Sequence, residues 1–195
     1  MGSVTPPPSP SVVVRPEVPD DAATVRDVVL RAFGPGEEVA ADLVDTLRSS
    51  SAHVPGLSFV ATARRADGTE EVVGHVMLTR SWLDAPDRLV EVLVLSPLGV
   101  VPERQRTGVG GALVRHALDA ADAAGWPLVF LEGDPGYYPR HGFVAGGGLG
   151  FVAPSDRIPA HAFQVVPLSG HAPWMRGRLV YADAFWALDC VGLRP

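Results

Sequence analysis

Lysine is absent: all 16 basic residues of this 195-residue chain are arginine. That excludes a Schiff-base lysine and the lysine of a Walker-type phosphate loop. Cysteine occurs once, at Cys190, which rules out an internal disulfide and fits a reducing compartment. The plain reading of Cys190 is a small apolar core residue. No apolar run approaches the roughly 18 residues of a membrane span. The N-terminus shows no basic region followed by an apolar segment of the secretory kind, so a cytoplasmic location and no membrane partner are expected. No stretch of arginines is dense enough to follow a nucleic-acid backbone. The six histidines lack metal-ligand spacing, so no metal is expected either. Against these absences stand 22 acidic residues and a net charge of −6, which favours a cationic partner on electrostatic grounds.

The length suits one domain with a real core. Residues 1–10, "MGSVTPPPSP", read as an extended, poorly ordered leader, leaving 11–195 as a single domain. "SVVVRP" (11–16) is a short strand ended by Pro16. Val25, Val28, Val29, Ala32 and Phe33 recur at helical spacing before "GPG", and Val39, Ala40, Leu43, Val44 and Leu47 signal a second helix. Residues 57–65 and 70–79 form a hairpin across "ADGT". The run 87–101 is a longer strand whose Ser96-Pro97 must bulge or lie open, because proline cannot donate to a ladder. A helix over 107–124, with Val109, Leu113, Ala117, Ala120 and Ala124 as its stripe, leads to a buried strand, "PLVFLE" (127–132), and a helical turn at 137–141. Strands near 163–168 and 178–181 finish the chain. Strand–helix–strand connectivity implies a parallel pair and the hairpin an antiparallel one, so the sheet is mixed and the class is α/β or α+β.

The segment "VVPERQRTGVGGALV" (100–114) ends a strand, thins its backbone with Gly108, Gly110 and Gly111, and begins a helix. A helix's first turn has unpaired amides and a partial positive charge. Glycines let a diphosphate approach those amides, and Arg106 and Arg104 add forked contacts. A P-loop is excluded by the missing lysine. A dinucleotide fingerprint fits poorly, since its third glycine is replaced by Leu113, although Glu132 lies about as far on as that motif's acid. On the glycines alone, a bland helix start remains open.

The wider pattern, "LGVVPERQRTGVGGALV" with "FLEGDPGYYPRHGF" (130–143), resembles the GNAT superfamily of acyl-CoA-dependent N-acyltransferases. Pro102, Gln105, Gly108 and Gly110 fill that family's cofactor motif, and the likeness covers nearly the whole chain. "SPLGV", "GDPGYYPRHGF" and "IPAHAFQVVPL" resemble a bacterial subgroup of predicted N-acetyltransferases. The resemblance implies a central mixed, mostly antiparallel sheet splayed between its fourth and fifth strands, with helices on both faces. It also implies acetyl-CoA as co-substrate. The backbone of Leu98, Gly99 and Val100 would pair with the pantetheine arm. Gln105 and the amides of Arg106, Thr107, Gly108, Val109, Gly110 and Gly111 would hold the pyrophosphate. Superfamily members often pair, so a homodimer is a further expectation.

Transfer of an acetyl group to an amine needs a neutral nucleophile and a protonated leaving thiol. An alkylamine with pKa near 10.4 costs about 4.6 kcal/mol to neutralise at pH 7; an α-amine near 7.8 costs about 1 kcal/mol. Glu132, ending its strand on the face of Leu128 and Phe130, is the candidate base; a solvated strand-end acid is the alternative. Tyr138, five residues before Phe143, matches the family's general-acid tyrosine. Glu91 and His75 are weaker candidates for contacting substrate, against an outward-facing acid and a satisfied core histidine. No Ser-His-Asp pattern appears, so direct transfer in a ternary complex is expected. Trp174, Tyr181 and Trp186 fit an acceptor pocket, a core or a dimer face. The acceptor could be a small metabolite, an antibiotic-like amine, or a protein terminus or lysine. The rival is a non-catalytic acyl-CoA-binding or sensing module, and a third is an NAD-binding domain.

Overall fold

The structure is a computed structural model that describes residues 12–65 and 67–193; the leader expected over 1–10 lies outside the described residues. The chain opens with strand β1 (Val12–Pro16), then helices α1 (Ala22–Phe33) and α2 (Val39–Arg48). On α1 the buried Val25, Val28 and Val29 are three and four residues apart, the spacing of one helical face. Gly34 ends α1 at φ +88, its amide bonding back to the Leu30 carbonyl, because a left-handed residue there favours glycine.

Two long strands follow, β2 (His53–Arg64) and β3 (Glu70–Asp84), paired antiparallel with Arg64 opposite Glu70. Gly68 in the expected turn has φ +86, and Asp67 accepts the Thr69 amide and hydroxyl. Both strands run past the expected ends. The surplus of β3 is used: after β2 leaves it at Thr79, strand β9 (Gly177–Val180) takes the same edge at Trp82–Asp84.

Strand β4 (Leu89–Val100) pairs antiparallel with β3. Val76 faces Leu98 and Leu78 faces Leu95, so β4 carries one extra residue at Ser96-Pro97, the expected bulge. Helix α3 (Val109–Ala123) then crosses to β5 (Leu128–Glu132). Its buried stripe is Val109, Leu113, Val114, Ala117 and Ala121; Ala124, expected in the stripe, is exposed and caps the helix. β5 lies parallel to β4 through only two pairs, Leu93 with Val129 and Val94 with Phe130. Beyond them the strands part. Strand β8 (Phe163–Pro167) backs β5, while β6 (Val144–Ala145) and β7 (Phe151–Val152) are two-residue strands in a stretch read as loop, too short to show a pattern. A short helix α4 (Asp183–Ala187) follows β9.

All nine described strands form one sheet, ordered β1-β2-β3-β4-β5-β8-β6, with β9 on β3 and β7 on β9. Alternation along β4 feeds two cores. Val90, Val92 and Val94 pack with α2 and α4 residues such as Leu43, Leu47 and Phe185. Leu93 and Leu95 pack with Leu113 and Val114 of α3. This is the mixed, splayed sheet with helices on both faces that the resemblance implied.

Candidate active site

The parting of β4 and β5 opens a trench made of two cavities that share Leu98 and Tyr137 in their linings. The first, of about 680 Å³, lies at the start of α3 and is lined by Gln105, Arg106, Gly108, Gly110 and Gly111. Arg106 at φ 61 and Gly108 at φ 94 turn the chain left-handed twice, and such turns point successive amides into one concavity. No side chain caps the first turn of α3, so its amides are free to meet an anion. Gly110 is needed for space: a β-carbon there would sit 2.6 Å from the Tyr137 hydroxyl.

Not every expected loop residue faces this cavity. Val100 lines it, but Gly99 packs toward Val29 and Ala32 of α1, and Val109 is buried in the core. Thr107 donates its hydroxyl to the Arg104 carbonyl, and Arg104 is outside the lining. Gln105 donates its amide to the Val100 carbonyl at 3.0 Å, tying loop to strand end. For Gly99, Thr107 and Val109 only the backbone can serve a ligand. Conversely, Arg115, Arg140 and His141 line the cavity and were missed. Arg115 was findable, being four residues after Gly111 and so on the same helical face. His141 is half-buried, and burial, then Arg140 and Arg115, push its pKa down. Among the described residues, this end of the trench holds three guanidinium groups and no carboxylate.

The second cavity, of about 720 Å³, is bordered by the bulge at Ser96-Pro97, by Glu132, Gly133 and Asp134, by Tyr138, and by α1–α2 and C-terminal residues. Tyr138 packs edge-on against Tyr137 and Phe143, with ring centres 5.0 and 5.6 Å away. A β-carbon on Gly133 would run into its ring, which explains a glycine between two acids. Burial, with Tyr137 and Asp134 adding, raises the Tyr138 phenol well above its ordinary range. Glu132 is half-buried and accepts the Gly192 amide at 3.2 Å. Burial raises its pKa, partly countered by that amide and by Arg157. Tyr181, one of the aromatics for which an acceptor pocket, a core or a dimer face was open, lines this cavity. The walls contributed by Phe185, Cys190 and Gly192 were not foreseen, because β9 reaches the sheet through long-range pairing that no local pattern announces. Cys190, far from the motifs in sequence, is thus beside the cleft; burial pushes its thiol up.

Two substrate-contact expectations are corrected. Glu91 is exposed, ion-paired with Arg80 at 3.2 Å and opposite Trp82, and it lines neither cavity. Strand alternation puts it on the face of Leu93 and Leu95, at the strand's start, where it is exposed. His75 is fully buried and cannot touch a ligand. Its Nε2 lies 3.0 Å from the Ser58 hydroxyl and 3.1 Å from the Glu17 carboxylate. Glu17 also accepts a hydrogen bond from Ser58 and pairs with Arg48 at 2.7 Å. Ser58 and Glu17 share one ring nitrogen, so this is no relay from acid through imidazole to hydroxyl. It is a structural cluster.

No helix among the described residues is long and apolar enough to cross a membrane. Among them, no group of three His, Cys, Asp or Glu residues is placed to hold a metal ion. Residues 55–145 match the family model of the acetyltransferase (GNAT) domain. The chain is 39% identical over 135 residues to the uncharacterized N-acetyltransferase YjhQ of Escherichia coli (strain K12), covering 69% of this chain and 71% of that protein. It is similar in structure to the GNAT family N-acetyltransferase YhbS of Escherichia coli in complex with CoA, with a TM-score of 0.79, 26% identity, and 93% of this chain and 96% of that one covered. A GNAT family acetyltransferase from Brucella melitensis in complex with acetyl-CoA gives a TM-score of 0.69 and 30% identity, over 91% of this chain and 99% of that one. The mixed sheet with its parted β4 and β5 is thus shared with these relatives, and the chain belongs to the GNAT superfamily of N-acetyltransferases.

Proposed function

We propose that the protein transfers an acetyl group from acetyl-CoA to a primary amine by direct attack in a ternary complex. The observation that carries this reading is the joining of the two cavities at Leu98 and Tyr137. A cationic cradle thereby opens onto a chamber holding a carboxylate and a phenol. The trench fits the co-substrate on its own chemistry: uncapped amides and Arg106, Arg115 and Arg140 at one end suit phosphates. The β4 edge beyond Val94 has no strand partner on the β5 side, which suits an amide-bearing arm. The co-substrate supplies an acyl carbon activated by sulfur; the rest is this chain's work. Leu98, Gly99 and Val100 align the arm through their backbone. The amides from Arg106 to Gly111 fix the phosphates, with Gln105 holding the loop in place. Glu132 takes the proton from the attacking amine, directly or through a water, and Tyr138 gives its phenolic proton to the departing sulfur. Cys190, its thiol raised rather than lowered, is a poor nucleophile, which supports transfer without an acyl-enzyme.

Thiol release from acetyl-CoA over an amine panel tests the reading; absence of release with every amine, despite coenzyme A binding, overturns it. Glu132→Gln should cut kcat/KM roughly 10²-fold for alkylamines and only a few-fold for α-amines, since the second class needs little help losing its proton. In the parent enzyme, activity should fall on acidification through a Glu132 pKa lying above the ordinary carboxylate value, because protonated Glu132 accepts nothing. That acid limb should be absent from Glu132→Gln. Arg115→Ala should weaken acetyl-CoA binding roughly 10-fold, the worth of one charge-assisted contact. Calorimetry with acetyl-CoA checks it, and an unchanged dissociation constant removes Arg115 from the cradle.

A further inference from the structure

We propose that the acceptor chamber selects amines carrying a second positive charge, such as short diamines and polyamines, through Glu37, Glu132, Asp134 and Tyr181. This rests on the acetyltransferase reading above and names its substrate class.

Charge along the trench is partitioned. Among the described residues, the phosphate end holds arginines and no acid, whereas the acceptor chamber is lined by Glu37, Glu132, Asp134 and Asp189 with no arginine or histidine. Asp189 is paired with Arg157 at 3.0 Å. Among the described residues, Glu37, Glu132 and Asp134 enter no ion pair. The Gly192 and Gly136 amides that Glu132 and Asp134 accept do not neutralise them, and Arg157, whose charge reaches Glu132, is itself paired with Asp189. Tyr181 adds an independent sign of a ligand. It is only 5% exposed, lines this cavity, and stacks on Phe185 with ring centres 4.7 Å apart. Its hydroxyl meets no hydrogen-bond partner among the described residues and keeps access to the cavity although the ring is buried, so it is placed to accept from a ligand.

An ammonium group is donor-only, whereas a carboxylate is acceptor-only and a phenol oxygen can accept. A chamber built of such acceptors matches a cation and leaves a substrate carboxylate with no counter-charge. The reaction sharpens this. The attacking nitrogen must be neutral, so in its reactive form it cannot offset the carboxylates. A second ammonium on the same molecule can, while the aromatic walls of Phe33, Tyr181 and Phe185 cover the methylene spacer.

The test uses three acceptors of like size that differ in the far group: 1,4-diaminobutane, n-butylamine and 4-aminobutyrate. Thiol release is measured at saturating acetyl-CoA and normalised to the neutral-amine fraction. We expect kcat/KM for the diamine at least about tenfold above n-butylamine, with 4-aminobutyrate lowest. Added salt should shrink the diamine's advantage, as should Glu37→Gln, at an exposed position whose substitution spares the core. Tyr181→Phe should raise KM for the diamine. Equal rates for diamine and n-butylamine, or 4-aminobutyrate as the best of the three, would overturn the proposal while leaving amine acetylation intact. Calorimetric titration of each compound into the coenzyme A complex decides the matter independently of turnover. Preferential binding of the diamine supports the proposal even if no acetyl transfer occurs, and failure of the diamine to bind overturns it.

Discussion

Tyr138→Phe should lower kcat roughly 10²-fold or more while changing the acetyl-CoA dissociation constant by less than about twofold. The ring is held by Phe143 and Tyr137 and by the absence of a side chain at Gly133. Removing one oxygen therefore leaves the packing and the cradle intact. What disappears is a proton held beside the chamber by a group whose burial keeps it protonated across the working pH range. General acid catalysis of this kind contributes about 10²- to 10⁴-fold. Steady-state thiol release together with calorimetry separates the two effects. Full turnover in the variant would mean that the departing thiolate is protonated by solvent and that Tyr138 is only packing.

The second large effect concerns stability. Glu17→Ala should destabilise the fold by about 3–5 kcal/mol, since removing one member of a buried charged cluster leaves its partners uncompensated. Arg48, Ser58 and the fully buried His75 all turn to this carboxylate. For a domain of this size the loss corresponds to a melting temperature lower by about 10 °C. The same cluster sets an acid dependence. Burial alone would raise the Glu17 pKa, but hydrogen bonds from His75 and Ser58 and the charges of His75 and Arg48 outweigh it, holding the value at about 2 against an ordinary 4.5. A depressed carboxylate contributes stability above its unfolded pKa and loses that contribution as pH falls toward its folded one. Stability should thus decline between about pH 5 and 2, by roughly 3 kcal/mol from this group. Chemical denaturation across that range checks both statements. A Glu17→Ala protein within about 1 kcal/mol of the parent, or with an unaltered acid profile, would show the cluster to be energetically idle.

What could be read from the chain was what depends on local geometry. The glycines before α3 stand out because a close backbone approach favours glycine, and Tyr138 was singled out by the family resemblance, which sets a tyrosine five residues before Phe143. Glu132 followed from strand alternation. The Glu17 cluster could not be seen: its members come from four separate segments, brought together only by strand pairing and by α2. For His75 a ligand contact and a satisfied core histidine both stayed open, because a histidine in an apolar strand does not reveal whether its partners lie within the fold. Tyr181, Phe185 and Gly192 reached the chamber by the same non-local route. Arg115 was available to helical spacing, which shows that attention to the loop alone stops one turn short.

The unpaired margin of β4 has a final consequence. A row of free backbone donors and acceptors ordinarily invites another polypeptide to zip onto it, the first step of many aggregates. Here that row starts where β5 is still attached and lines one cavity with Tyr137 and Tyr138, so an intruding strand with bulky side chains meets a wedge closed at its base. A thin, unbranched chain of amides can slide in. The fold thereby keeps a reactive seam permanently exposed to a small molecule and yet concealed from its own kind.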